Sequence, residues 1–412
     1  MSAAKGSAPL IALLATLCAL VPLSIDTYLP SLPDIALDLN AETARVQSTI
    51  GLFLAGLCSG MLICGPLSDR HGRRRLLLGS LALYLLASLA CTQVTDVTQL
   101  QGLRFIQALG GAGALVLART VVRDLYPLSE SARLLSLMHV IAMLATLVAP
   151  VLGTWLVLLH GWRTIFVALF LAAAACLLVA WRLLPESLPT HARTASLGAS
   201  FRHYAAILRH PLALLYILAM GLSVGGMFAF ITASSFLFIE HFGFSPRGFS
   251  LVFALNIVGI IIATVINARW VRRRGPRAML GIGSLVAGAA GAALLVVGLT
   301  GWAQPLSIIL CVVAFMGISG LIGSNCIASL MALFPYNAGA AVGLAVALQF
   351  ACGALFSALV SQLGDGTARP MCLVIGGCGV ASLVCYAGIR LLSERQAALI
   401  HADEGRSPQQ RA

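Results

Sequence analysis

The feature that most constrains this chain is a succession of twelve apolar runs, each about as long as a membrane is thick. They fall at roughly 9–30, 46–67, 76–94, 100–120, 134–158, 163–184, 211–236, 248–268, 278–299, 305–330, 339–363 and 370–391. A helix needs ~20 mainly apolar residues to cross the hydrocarbon. Backbone polar groups there must be satisfied within the segment, so each run predicts a spanning helix. Gly, Ala and Ser recur inside the runs, as close helix–helix approach in lipid requires.

Composition points the same way. Of 412 residues, 59% are hydrophobic and only 10% are charged, too few charges to cover a soluble surface. The net charge of +12 is therefore no nucleic-acid footprint, and no nucleic-acid partner is expected. The basic residues sit between the runs, where they set topology. With the N-terminus taken as cytoplasmic, 21 Lys and Arg fall on that side, from Lys5, Arg70 and Arg193 to Arg406 and Arg411. Only 4 fall outside: Arg45, Arg163, Arg247 and Arg369. An even span count then places both termini in the cytoplasm. Trp155, Trp162, Trp181, Trp270 and Trp302 lie near run ends, as an aromatic belt predicts. The 11 cysteines all lie inside apolar runs and read as small buried hydrophobes, so no metal site is expected. The first run has one preceding Lys and no clear cleavage site, so it is expected to remain as the first helix.

The longest polar interruption, 185–210, divides the chain into six runs and six. The expected organisation is a six-helix half over 1–184, a cytoplasmic linker over 185–210, a second half over 211–392 and a tail over 393–412. Phe201, Tyr204, Ile207 and Leu208 are spaced for a helix lying at the interface, and a plain linker is the alternative. The halves read as repeats. Gly72-Arg73-Arg74-Arg75-Leu76 opens the third run, and Gly275-Pro276-Arg277-Ala278-Met279 opens the ninth, 203 residues later. That offset sets Ala229 opposite Asp26 and Ser307 opposite Arg104. Two such halves about an axis along the membrane normal, with a site between them, form a known transporter architecture.

Charge inside the runs is scarce. Of the 14 acids, Asp26 alone cannot be placed in a loop or tail. It stands in Pro22-Leu23-Ser24-Ile25-Asp26-Thr27-Tyr28-Leu29-Pro30. A carboxylate at membrane depth is costly and marks a functional site, here proton handling. Arg104 in the fourth run is its one deep charged candidate partner; snorkelling to the nearer interface is the other reading. Tyr28, Gln107, Asn256, Asn325 and Gln349 are isolated polar residues in apolar runs. Each either lines a substrate pocket or hydrogen-bonds a neighbouring helix. Phe228 and Phe230 either stack on a ligand or fill the core. His139 reads as structural or as a proton relay.

Three motifs carry a resemblance. Gly65-Pro66-Leu67-Ser68-Asp69-Arg70-His71-Gly72-Arg73-Arg74-Arg75 resembles the signature loop between the second and third helices of the major facilitator superfamily. Leu100-Gln101-Gly102-Leu103-Arg104-Phe105-Ile106-Gln107-Ala108-Leu109-Gly110-Gly111 resembles its fourth-helix arginine motif, with Ala108 where Gly is usual. Ala149-Pro150-Val151-Leu152-Gly153 resembles its antiporter motif, with Ala149 for a central Gly. Leu23 through Pro33, Arg123-Asp124, Gly161-Trp162-Arg163, Pro185-Glu186-Ser187-Leu188, Phe253-Ala254-Leu255-Asn256 and Ser324-Asn325 resemble the bicyclomycin-resistance (Bcr/CflA) family.

The resemblance implies an all-α membrane protein of the major facilitator fold, with twelve helices in two six-helix halves. It implies a proton-coupled antiporter that exports drug-like molecules of bicyclomycin, phenicol or sulfonamide type across the bacterial inner membrane. Asp26 and Arg104 would then serve proton coupling. Gly65, Asp69, Arg70, Gly72, Arg73, Arg74, Asp124, Pro150 and Gly153 would serve conformational change, the signature loop latching the halves when the protein faces outward. The acid that many multidrug relatives carry two turns before Asp26 is here Cys18. No cofactor is expected, the proton gradient being the driving force, and the partners are a small-molecule drug, protons and lipid around a monomer. An importer of a sugar or amino acid shares the fold. A membrane enzyme would need companions that Asp26 lacks, and no GKS or GKT phosphate loop is present.

Overall fold

A computed structural model describes residues 8–189 and 197–404. Lys5, Arg193, Arg406 and Arg411 of the charge census, the linker stretch 190–196 and the end of the tail lie outside the described residues. The described residues are almost wholly helical and include no strand.

In the first half, α1 (Ala8–Asp26), α2 (Leu32–Asp38), α3 (Thr43–His71) and α4 (Arg73–Cys91) are followed by α5 (Val97–Leu125), α6 (Leu128–His160) and α7 (Arg163–Leu183). The connection holds α8 (Leu197–Leu208). The second half comprises α9 (Pro211–Ser235), α10 (Pro246–Thr300), α11 (Pro305–Gly317), α12 (Ser319–Leu333), α13 (Ala338–Gln362) and α14 (Arg369–Glu404). Among the described residues, eleven continuous helical stretches are long and apolar enough to span a membrane. The 55-residue α10 contains two of the expected spans, broken at Gly275, which restores twelve. Spans 1 and 10 are each built from two helices, α1 with α2 and α11 with α12.

Gly275 gives the internal repeat a geometric form. It adopts φ 78° and ψ 160°, and Gly72, 203 residues earlier, adopts φ 92° and ψ 153°. Both lie at positive φ, where a side chain is strained and glycine is not. The same backbone reversal thus turns the chain between the second and third spans of each half. Ala229 is fully buried in α9, and Ser307 lies on α11, bonding only the Gln304 carbonyl. The second half repeats the scaffold without the charges.

Two features differ from expectation. Trp155, Trp181, Trp270 and Trp302 are exposed as a belt requires, whereas Trp162 is buried and donates its indole N–H to Asp38 at 3.1 Å. Asp38 also pairs with Arg163 at 2.6 Å, so the Gly161-Trp162-Arg163 corner ties span 6 to the end of span 1. The last helix does not stop near 392 but runs on to Glu404, with Arg390 and Glu394 paired one turn apart at 2.8 Å.

The α8 helix is amphipathic, as its spacing predicts. Ile207 is buried and Tyr204 half-buried, while Phe201 stays exposed. It packs against α3, α9 and α13 beneath the bundle. Burial, and secondarily the Asp69 carboxylate, push the Tyr204 hydroxyl above the usual phenol range.

The halves meet mainly along α3 with α13 and α6 with α10. Near the end remote from the arginine-rich loop, Ser361 donates to the Ala44 carbonyl at 2.6 Å, and the Thr154 and Ser250 hydroxyls approach to 3.5 Å. At the arginine-rich end a cavity of about 720 Å³ separates them, lined from α3 and α5 on one side and α12 and α13 on the other.

Candidate functional site

Asp26 is the last residue of α1. The helix stops there for a covalent reason. Pro30 has no N–H to offer the Asp26 carbonyl four residues earlier, and Pro33 repeats the defect one turn on. The chain therefore passes through a short 3₁₀ turn, Leu29–Ser31, before α2 resumes. Thr27 and Ser31 hydroxyls donate to the Leu23 and Tyr28 carbonyls at 2.6 and 2.7 Å, adding a second bond to acceptors that the amides of the same two residues already reach at 3.2 Å.

The side chain of Asp26 is only 4% exposed and faces the Thr146 hydroxyl of α6. The antiporter-like motif follows over the next two turns of α6. Pro150 is buried, and Gly153 sits so close to the Thr27 carbonyl that any Cβ there would overlap it. The motif is thus pressed against the turn that carries the acid. Gly153→Ala is expected to force α6 off α1, costing on the order of 1–3 kcal/mol by overpacking. Lower thermal stability in detergent together with lost transport checks this.

Arg104 neither pairs with Asp26 nor snorkels. It is fully buried, and among the described residues its partners are uncharged. One terminal nitrogen donates to Gln107 Oε1 at 2.7 Å and the other to the Ser24 carbonyl at 3.0 Å. The guanidinium carbon lies 4.1 Å from the Phe53 ring centre, 4.7 Å from Tyr28 and 5.8 Å from Phe166. Aromatic faces attract cations, so the charge is balanced by π faces and a carbonyl dipole. Arg104 therefore grips the last turn of α1 two residues before the acid.

This accounts for two of the polar candidates. Tyr28 belongs to the arginine cage, with its hydroxyl 3.0 Å from Thr49 Oγ1. Gln107 engages both ends of its amide, accepting from Arg104 at 2.7 Å and donating to Ser88 at 2.8 Å. Both lie inside the first half. Asn325 donates to Asn267 Oδ1 and the Leu321 carbonyl, each at 2.8 Å, inside the second half. Asn256 donates to the Val252 carbonyl at 2.8 Å, while its Oδ1 is buried without a hydrogen bond. Phe230 fills core against Phe238. Phe228 lies over Gly353 of α13, beside Leu54 of α3, where the halves touch, and Gln349 is half-buried one turn earlier on α13. His139 is exposed on α6, near Arg119.

The signature loop forms a charge cluster. Arg73 pairs with Asp69 at 2.6 Å and Asp124 at 3.2 Å, and also reaches the Ser68 hydroxyl. Ser187 donates to Asp124 at 2.8 Å. Glu186 caps α4, its two oxygens accepting the Arg73 and Arg74 amides at 2.8 and 3.4 Å. A carboxylate there answers the positive end of α4. Arg74 reaches the Trp181 carbonyl at 2.7 Å, Arg70 is exposed, and nothing packs closely on Gly65. Among the described residues every partner of Arg73 is in the first half or the connection, and none ties it to the second half. Arg73→Ala leaves two acids unpaired and is expected to slow transport several-fold with little change in ligand affinity, measured by parallel transport and binding assays.

Sequence reasoning passed over Thr146, Phe53, Phe166 and Arg119. None stands out by type: Thr and Phe are ordinary in membrane helices, and Arg119 resembles its topology-setting neighbours.

Two pseudo-repeated six-helix halves, a proline-broken first helix carrying a buried acid and a cavity between the halves define a secondary transporter. The chain matches the model of the Major Facilitator Superfamily over residues 13–357 and belongs to that superfamily. Within it the chain falls in the bicyclomycin-resistance family, and it is a transporter, not an enzyme. It is 32% identical to a bicyclomycin resistance protein homolog of Haemophilus influenzae, over 94% of this chain and 97% of the relative. It is 34% identical to the uncharacterized MFS-type transporter YdgK of Bacillus subtilis, over 92% and 94%. A chloramphenicol resistance protein of Pseudomonas aeruginosa is 31% identical over 66% and 64%. Among solved structures, a D-xylose-proton symporter superposes with a TM-score of 0.72 at 19% identity, covering 92% of this chain and 96% of that one. That likeness concerns the fold alone.

Proposed function

We propose that this chain is a proton-coupled exporter of drug-like small molecules in the bacterial inner membrane, with both termini in the cytoplasm. The observation that carries the reading is the buried acid at the broken end of α1, pressed by the antiporter-like motif of α6. The relatives, a bicyclomycin resistance protein homolog and a chloramphenicol resistance protein, supply the cargo class. The arginine-rich loops supply the orientation.

The cavity at the arginine-rich end is then the loading face. Substrate enters there and favours departure of the proton from Asp26, and return of the carrier requires a proton from outside. Both events act on one helix end, which Arg104 and α6 hold between them. A proton moving inward down 100 mV releases about 2.3 kcal/mol. That supports an accumulation ratio of roughly 40-fold, and a pH gradient adds to it.

The test is a resistance profile. An exporter-deleted bacterium expressing this chain is expected to tolerate higher concentrations of bicyclomycin, phenicols or sulfonamides, and an uncoupler is expected to remove the protection. Protection that survives the uncoupler would count against proton coupling. No protection against any of the three would count against the cargo class.

A further inference from the structure

The cavity at the arginine-rich end contains a charge that the coupling scheme does not use. Arg119 of α5 lines it, and among the described residues no acid pairs with Arg119. Its guanidinium lies near the Cys18 thiol of α1, and His139 of α6 stands near it. Cys18 thus faces a cation with a neutral group. The acids lining the cavity, Asp69 and Asp124, are both committed to Arg73. Three arginines, Arg73, Arg119 and Arg123, against those two aspartates leave the lining with one excess positive charge, His203 not counted.

The rest of the wall is largely apolar, including Met61, Leu115, Val116 and Val346. A volume of about 720 Å³ suits a drug-sized molecule. An arginine at the edge of an apolar cavity presents a rigid fork of donors that matches carboxylate, sulfonate or phosphate oxygens.

We infer that Arg119 is a substrate-recognition residue, and that the cavity selects small apolar molecules carrying one anionic group. The inference rests on the exporter reading for the direction of transport, but not for the binding chemistry. It is energetically consistent with that reading. Outward movement of an anion and inward movement of a proton both carry positive charge inward, so an interior-negative potential drives the two together. The arginine also separates roles: Asp26 handles the proton while Arg119 neutralises the cargo's charge, so a bound anion does not oppose ionisation of Asp26.

The experiment compares two ligands differing by one charge, chloramphenicol and its anionic succinate ester, titrated calorimetrically onto the purified full-length protein. The wild type is expected to bind the succinate ester more tightly than chloramphenicol, with a preference that shrinks as salt is raised. Arg119→Gln is expected to weaken the ester on the order of tenfold, the size of one lost charge-assisted hydrogen bond. Chloramphenicol binding should weaken far less than ester binding in that variant, a single symmetric peak on gel filtration in detergent reports that it is folded, and Arg119→Lys should retain part of the preference. Equal or weaker binding of the ester by the wild type overturns the inference, as does failure to bind either compound. So does an Arg119→Gln variant that keeps the preference. An anion preference that depends on Arg119 in a protein conferring no resistance would sink the exporter reading and leave the site standing.

Discussion

Replacing Asp26 with Asn is expected to abolish uphill export while leaving the protein folded in the membrane. The substitution preserves shape and removes the ionisable proton. Asp26 is the only acid buried within the spans of the first half, and its repeat counterpart is Ala229, so no second carboxylate can substitute. Cys18, two turns before Asp26, supplies no carboxylate and lies near Arg119. In vesicles carrying a 100 mV potential, the accumulation ratio of an uncharged drug such as chloramphenicol should fall from roughly 40-fold to about one. Substrate exchange without a gradient should persist, because it needs the cavity and not the proton. Acidifying the outside relative to the inside should accelerate wild-type export and leave the variant unchanged. Uphill export by Asp26→Asn would place coupling elsewhere.

The second large effect is expected at Arg104. Arg104→Met removes a fully buried cation and strands the Gln107 amide oxygen and the Ser24 carbonyl that it holds. Each orphaned buried acceptor costs about 1–3 kcal/mol, and the lost cation–π contacts add to this. A loss on the order of 3 kcal/mol is expected, read as a markedly lower thermal midpoint in detergent. Arg104→Lys should recover little, since an ammonium cannot reach both acceptors while lying flat on Phe53. Because Ser24 is two residues from Asp26, Arg104→Lys should also shift the pH dependence of transport. A stable variant with an unchanged pH profile would reduce Arg104 to packing.

The scaffold was legible because its signals are long. Twelve apolar runs, an arginine bias and a repeat offset survive any local detail, and Gly72 and Gly275 mark the same turn in both halves. Motif residues were legible as types: Asp69, Arg73 and Asp124 form one cluster, and Gly153 touches the turn beside Asp26. Partnerships were not. Sequence sets Arg104 beside the only deep acid, yet the structure surrounds it with aromatic rings, because Phe53 and Phe166 come from helices whose facing is fixed only by packing. Glu186 caps α4 from 113 residues away, beyond any local capping rule. Tyr28 and Gln107 look like lone polar groups in a run and are members of a closed network. Isolated polarity in a membrane helix shows that a partner exists, but does not distinguish a ligand from a neighbouring helix.

The central claim is that Asp26 gives up its proton when substrate binds. It is tested most directly by mixing purified protein with an exported drug in weakly buffered detergent solution and recording pH. Wild-type protein is predicted to acidify the medium in proportion to drug bound, and Asp26→Asn is predicted to bind the drug without acidification. Equal proton release by both proteins, or none from a wild type that binds the drug, would contradict the account.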